Sequence, residues 1–229
     1  MFQYEHLIYT PAFYFLIALT LALTFGYTFG RKWNRRILMN ALDPLLTILK
    51  ARDQQFTNIG GQTGFHATIV PGNMRTVRRV DVTVTLLPRQ SWLYMPFSYV
   101  VRKSDRFQAI FYLNKRGRNL ASEAHLVDVR VEKRMGNHIE NAEHLTREEI
   151  DWGGRRFHLY SADSTARRWM TELQERLGDP ATVHHVAVLP EQERVYLFMV
   201  PKVGTVPAVT TVLRDWIEAI ATPASADAD

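Results

Sequence analysis

The chain has no cysteine, which excludes disulfide frameworks, cysteine-ligated zinc and thiol nucleophiles. It also lacks the short patterns of familiar catalytic machinery. There is no GxSxG, no GxxxxGK followed by Ser or Thr, no HExxH and no dinucleotide-binding glycine pattern after a strand. Acids are scarce in one region: residues 31–118 hold 16 Lys and Arg against 4 Asp and Glu, whereas 119–229 hold 12 against 18. The net charge of +5 therefore conceals a basic first half and an acidic second half. Such polarity suits an anionic partner, lipid headgroups or RNA phosphates, although solvated surface charge is the plainer reading for any single arginine.

Charge is missing altogether from Leu7 to Gly30, 24 consecutive residues. A helix of that length rises about 36 Å, enough to cross a hydrocarbon core of about 30 Å with some tilt. A cleaved signal peptide would put basic residues before the apolar run and a small-residue cleavage site after it. Here MFQYEH precedes the run and the cluster Arg31, Lys32, Arg35, Arg36 follows it. That order favours an anchor over a signal peptide or a buried helix. The positive-inside rule then places residues 1–6 outside and the domain from residue 31 in the cytoplasm.

Inside the span, Ala18, Ala22, Gly26 and Gly30 recur at every fourth position and end in a GxxxG pair, with Thr20, Thr24 and Thr28 on the opposite side. Small residues let a second transmembrane helix approach closely, so these four form the candidate partner-helix contact.

Beyond the span the expected architecture is α+β, with antiparallel sheets covered by helices. A juxtamembrane helix over 31–55 follows from the helical spacing of Ile37, Leu38, Leu42, Leu45, Ile48 and Leu49, with a kink at Pro44. The domain over 56–221 starts with the turn NIGGQTG and a first strand at Phe65–Val70. Clean alternation marks VDVTVTLL as a strand burying Val80, Val82, Val84 and Leu86. A helical aromatic segment follows, then strands at 106–113 and 125–133, the latter from the alternation of Val127, Val129 and Val131. Residues 135–154 read as a polar connection with a short helix near Thr146–Ile150. RRFHLY reads as a strand leading to a helix capped by Asp163, with Ala166, Trp169, Met170, Leu173 and Leu177 on its apolar stripe. A hairpin over 183–189 and 194–200 precedes a last helix from Thr205. The order strand, helix, strand, strand occurs at 80–133 and again at 155–200, suggesting a two-part domain. The acidic tail 222–229 lacks an apolar anchor and is expected to be disordered.

Few constellations suggest chemistry. His184 and His185 are neighbours on a strand, which turns them to opposite faces, and Glu140 with His144 would share a helix face without a third ligand. No metal or cofactor is expected, and the glycines of residues 58–64 read as a turn before a phosphate nest. The segment Trp92 to Val101 is too short to span a bilayer. It either packs in the core or lies in the headgroup region, where Trp92, Tyr94 and Phe97 would meet the interface. Arg75, Arg78, Arg79, Lys115, Arg116 and Arg118, with the four cations after the span, are the candidates for lipid headgroup or RNA contact.

Several segments, in order, resemble the calumin family of coiled-coil-containing endoplasmic reticulum membrane proteins. ARDQQFTNIGG is similar to the family's helix ending and Phe-Thr-x-hydrophobic-Gly stretch. LLPRQSWLYMPF and SDRFQAIFYLN resemble its strand, Arg-Gln, apolar helix and following strand. RVYLFMVPKVGTVPAVTTVLRDWIEAIA resembles the closing strand, Val-Pro loop and last helix. The resemblance implies a non-enzymatic adaptor that partners a small multi-spanning membrane protein in an intramembrane chaperone complex. Such a complex works beside the Sec translocon and an Oxa1-type insertase, with ribosomes nearby. The family's long acidic lumenal region and basic ribosome-reaching coiled coil have no counterpart here. A minimal prokaryotic relative in the plasma membrane is the expectation, and the alternative is a membrane-tethered cytoplasmic ligand or signal sensor.

Overall fold

The computed structural model describes residues 10–101, 104–117, 120–135, 139, 142–180 and 182–222. Arg118, Glu140 and the tail from residue 223 lie outside the described residues, as does the start of the apolar run.

Helix α1 runs unbroken from Pro11 to Ile48, 38 residues. Thr10 caps it, its side chain accepting the Phe13 N–H, and proline occupies the first turn, where no N–H is needed. The helix is long and apolar enough to cross a membrane. From Gly26 onward one stripe is buried: Gly26, Gly30, Asn34, Leu38, Ala41, Leu42 and Leu45. The helix therefore leaves an exposed apolar half and docks its second half on the domain. It ends earlier than the hydrophobic spacing suggests, because Lys50 adopts a left-handed conformation (φ 44°) that turns the chain into a strand.

The remaining elements are β1 (Asp53–Asn58), β2 (Gly64–Val70), β3 (Val77–Thr85), α2 (Met95–Val101), β4 (Arg106–Leu113), β5 (Ala124–Asp128), α3 (Val129–Met135), a 3-10 turn (Ala142–His144), β6 (Thr146–Trp152), β7 (Arg155–Ser161), α4 (Ser164–Leu177), β8 (Val183–Leu189), β9 (Arg194–Met199) and α5 (Thr205–Ala221). The strands form one nine-stranded sheet in the order β1-β2-β3-β4-β9-β8-β5-β7-β6, every neighbouring pair antiparallel. Where two sheets were expected, strands from the two halves of the chain fuse along β4 and β9, from Phe107 opposite Met199 to Tyr112 opposite Arg194. Both seam strands bury alternate apolar residues, so joining them closes what would otherwise be two edges.

One sheet face is covered by the second half of α1, by α4 and by α5, which share a single apolar core with Val80, Val82, Val84, Phe107, Phe111 and Leu197. Asp163 caps α4 as its sequence suggests, accepting the Ala166 N–H, and Gly178 ends it at φ 67°. Trp216 of α5 donates its indole N–H to the Trp169 carbonyl at 3.0 Å, fastening the two helices.

Three elements depart from expectation. DQQFTN forms the edge strand β1, exposed along its whole length, so no burial imposed an alternation on its sequence. TREEIDW forms a second edge strand rather than a helix, because its pairing to β7 outweighs the helix propensity of its glutamates. The strand expected over 125–133 stops at Asp128, and α3 follows. Asp128 Oδ1 accepts the Arg130 N–H at 2.8 Å, a local bond that turns the chain into helix.

Candidate membrane-interface site

The loop leaving β3 returns to α1 where the apolar run ends, and a buried polar knot fixes it there. Arg89 forks onto Asp105, with Nη1 to Oδ1 at 2.9 Å and Nη2 to Oδ2 at 2.7 Å. The two side chains are 13% and 7% exposed. Asp105 Oδ1 also accepts the Leu87 N–H at 2.8 Å. Arg89 Nη1 donates to Asn34 Oδ1 at 3.0 Å, and Asn34 Nδ2 donates to the Leu87 carbonyl at 2.8 Å. Asn34 is 1% exposed on an otherwise apolar helix stripe. Because each of the three is partnered, burial is tolerated, and the directional bonds set where along α1 the loop sits.

Next to this knot the loop covers two glycines, its backbone passing over Gly30 and the Trp92 side chain over Gly26. A Cβ on Gly30 would stand 2.0 Å from the Arg89 carbonyl oxygen, and one on Gly26 would stand 2.4 Å from the Trp92 indole. Phe25 meets Trp92 edge to face at 6.4 Å, and the Arg89 guanidinium lies 5.7 Å from the Trp33 ring centre. The GxxxG pair expected to receive a partner helix is therefore filled by the chain's own loop, as residues without side chains allow the closest backbone approach. Ala18 and Ala22 stay exposed on the apolar half of α1.

Held this way, residues 92–101 present a nearly continuous apolar surface. Leu93 is 79% and Val100 73% exposed, and Trp92, Tyr94, Phe97, Tyr99 and Val101 are exposed as well. Ser98 alone in α2 is buried. The core-packing reading of this segment does not hold. It is a platform beside Gly26 and Gly30, and exposed apolar area of this kind marks a contact with lipid or protein.

The candidate cations separate into two groups. Arg31, Lys32, Arg35 and Arg36 are all exposed on α1 next to the platform. Arg75, Lys115 and Arg116 gather at the opposite ends of β2, β3 and β4, around a hollow of about 740 Å³ that also involves Arg52. Arg78 and Arg79 lie instead over the Tyr112 ring, at 5.9 and 4.4 Å, and Arg79 pairs with Asp81 at 3.1 Å.

No protein-family model matches the chain, and no curated protein matches it. The residues carry the functional argument alone. Asn34, Asp105 and Arg52 were not singled out from the sequence, whereas Arg89 stands there as the basic flank of the aromatic segment. Two signals point to them: Asn34 continues the four-residue stripe of Gly26 and Gly30, and Asp105 is one of the few acids in the basic half.

On the sheet face away from α1, histidines form a second buried cluster. His125 Nδ1 lies 3.3 Å from His185 Nε2, and His125 Nε2 lies 2.8 Å from Glu123 Oε1. His185 Nδ1 is buried without a hydrogen-bond partner. The expectation that His184 and His185 diverge fails, because a bulge between Val183 and His185 breaks the alternation. His184 instead lies against Phe198 and its Nδ1 is 3.2 Å from Asp128 Oδ2, while His185 lies against Tyr196. Among the described residues no group of three His, Cys, Asp or Glu could hold a metal.

Burial, with a smaller push from His125, takes the His185 imidazole down to about 3, and burial also lowers His125 against the pull of Glu123. Both folded values lie below the unfolded one near 6.5, so below that pH the unfolded chain binds more protons. Stability is full above pH 6.5 and falls as the pH drops toward about 3. The expected loss for His185 alone is about 2 kcal/mol between pH 6.5 and 5. Thermal unfolding at pH 7.5 and 5 should show it, and His185→Leu should flatten the difference. Equal melting of the wild type at both pH values would refute this account.

Proposed function

We propose that the chain is a single-pass membrane adaptor whose apolar helix half and aromatic platform together make a surface for other transmembrane helices. The supporting observation is the position of the platform. Trp92 to Val101 stand exposed beside Gly26 and Gly30, where the charge-free run gives way to Arg31 and Lys32. At that level a bilayer passes from hydrocarbon to headgroups, the zone that favours Trp and Tyr. The four cations placed next to it match anionic headgroups, and the positive-inside rule puts the N-terminus outside and the folded domain in the cytoplasm.

The adaptor reading extends to biogenesis of multi-spanning membrane proteins, near the Sec translocon and an Oxa1-type insertase, as the calumin resemblance implies. An unpaired polar side chain in lipid costs several kcal/mol, so a client helix gains from a protein surface that covers it. Ala18 and Ala22 remain available for a small multi-spanning partner, since nothing in the described chain covers them.

The absence of cysteine makes the test direct. A photocrosslinker on Cys replacing Leu93 or Val100 is expected to give adducts with multi-spanning membrane proteins, including Sec or insertase subunits, in native membranes. The same probe at Glu191, on the β8–β9 turn, should give none of these adducts. Identical adduct patterns from both positions would end the proposal. In parallel, Trp92→Ser with Phe97→Ser is expected to cut adduct yield at Val100 at least about fivefold, a loss of about 1 kcal/mol in contact energy.

A further inference from the structure

At the far end of the domain lies an open polar hollow. Its rim is Arg52 from the connection between α1 and β1, Arg75 from the β2–β3 turn, and Lys115 and Arg116 from the loop after β4. Asn73 and Asn114 line it between them, and among the described residues no carboxylate does. None of the four cations forms an ion pair among the described residues; Arg52 makes one long bond, 3.4 Å, to the Gly72 carbonyl. The site is nevertheless built on fixed backbone. Glu218 Oε1 of α5 accepts the Arg75 N–H at 2.9 Å, the Thr76 N–H at 3.0 Å and the Thr76 hydroxyl at 2.6 Å. Asn114 donates to the Arg75 carbonyl at 2.7 Å and accepts the Arg116 N–H at 2.9 Å.

Four cationic side chains line one hollow, and the Glu218 carboxylate behind Arg75, already holding two backbone N–H groups and a hydroxyl, offsets one charge at most, so the cations repel one another and an anion relieves that repulsion. Each guanidinium also presents a planar donor fork that matches phosphate oxygens. A hollow of about 740 Å³ falls in the size range of sites that enclose small molecules. Its place in the fold decides the source of the phosphate. The stretch of α1 from Gly30 to Ile48 rises about 27 Å. Strand β3, nine residues running from the hollow end to the platform end, covers about the same distance. The platform and the hollow therefore occupy opposite poles, and the headgroups that flank α1 are out of reach. That exclusion rests on the reading of α1 as the membrane anchor.

We propose that this hollow binds a soluble polyphosphorylated anion, which makes the domain a tethered ligand-binding module with its site facing away from the membrane. Convergence on one concavity favours a compact anion over an RNA backbone, which would call for cations spread along a stripe.

The test uses the full chain in nanodiscs of uncharged lipid at about 0.1 M salt, with tripolyphosphate as the probe in calorimetry. Saturable binding at one site per chain is expected, weakened at least about tenfold, or about 1.4 kcal/mol, by Lys115→Gln with Arg116→Gln, which removes two of the four cations. Arg35→Gln with Arg36→Gln, at the other pole, should bind like the wild type. Unchanged melting of the hollow variant shows that it is folded. No saturable binding by the wild type, or equal binding by the hollow variant, overturns the proposal. Tighter binding of single-stranded RNA that the hollow variant loses would replace the small anion with RNA. Recruitment of separate anionic vesicles through Lys115 and Arg116 would replace it with lipid. Failure of the membrane reading shows separately, as release of the wild type from native membranes by alkaline carbonate.

Discussion

Asp105→Ala is expected to destabilise the full chain by about 3–5 kcal/mol, because it strands the Arg89 guanidinium in a buried site without its counter-charge. The carboxylate does three things at once. It neutralises Arg89 through a two-pronged contact, and it accepts the Leu87 N–H that would otherwise point into the same dry space. By holding Arg89 it also fixes the partner of Asn34 Oδ1 on α1. Loss of such a group is felt by every member of the knot, so the melting temperature in nanodiscs should fall by about 10 °C. A cycle separates the ion pair from general packing. Arg89→Leu combined with Asp105→Leu should cost clearly less than the sum of the two single changes, because the pair no longer leaves one charge behind. Additive losses would show that the two side chains stabilise the fold independently. The knot would then not be the device that ties the platform to α1.

Much of the fold is legible in the sequence, and the reason is the same at each success. Val80, Val82, Val84 on β3 and Ala166, Trp169, Met170, Leu173 on α4 face a single core across a single water boundary, so period maps onto structure. The misses occur where that boundary is absent. β1 and β6 are edge strands whose faces are mostly wet, and β5 is buried on both faces, so none of the three needs alternation. The alternation read over residues 127–131 spans a strand end and the first turn of α3, and Asp128 marks the switch through its bond to Arg130. The single sheet was hidden for another reason. The seam between β4 and β9 joins residues more than 80 positions apart, and nothing local in either strand names its partner.

The candidate site was legible in parts. The apolar run, the basic step and the aromatic segment are visible as composition, and the structure brings all three to one end of the domain. The knot is not visible that way, since one Asn, one Arg and one Asp carry no local pattern until 34, 89 and 105 are neighbours. The cations show the converse. A list of basic residues along the chain looks like one surface, whereas helix α1 holds Arg31 to Arg36 at one pole and the loops at the far ends of β2, β3 and β4 hold Arg75, Lys115 and Arg116 at the other. Headgroup contact therefore remains a proposal for the first set, and the second set is left facing solvent.

Gly30→Leu tests whether the glycine pair serves this chain or another one. A Cβ at residue 30 would approach the Arg89 carbonyl oxygen to 2.0 Å and the Gln90 nitrogen to 2.5 Å. Both are backbone atoms, so no rotamer change relieves the overlap, and loop and helix must separate. The sheet and its helices share a core remote from this contact, so the domain is expected to stay folded while the platform detaches. An environment-sensitive dye on Cys replacing Leu93 should report a large change for Gly30→Leu, with far-ultraviolet circular dichroism unchanged. Ala18→Leu with Ala22→Leu supplies the contrast, because both alanines are exposed and nothing in the chain lies over them. That variant should leave the dye signal as in the wild type and reduce recovery of a membrane partner instead. A dye signal unmoved by Gly30→Leu would mean that the loop does not rest on α1. The platform would then lose its fixed place at the end of the apolar run, and with it the argument for a surface that meets other helices.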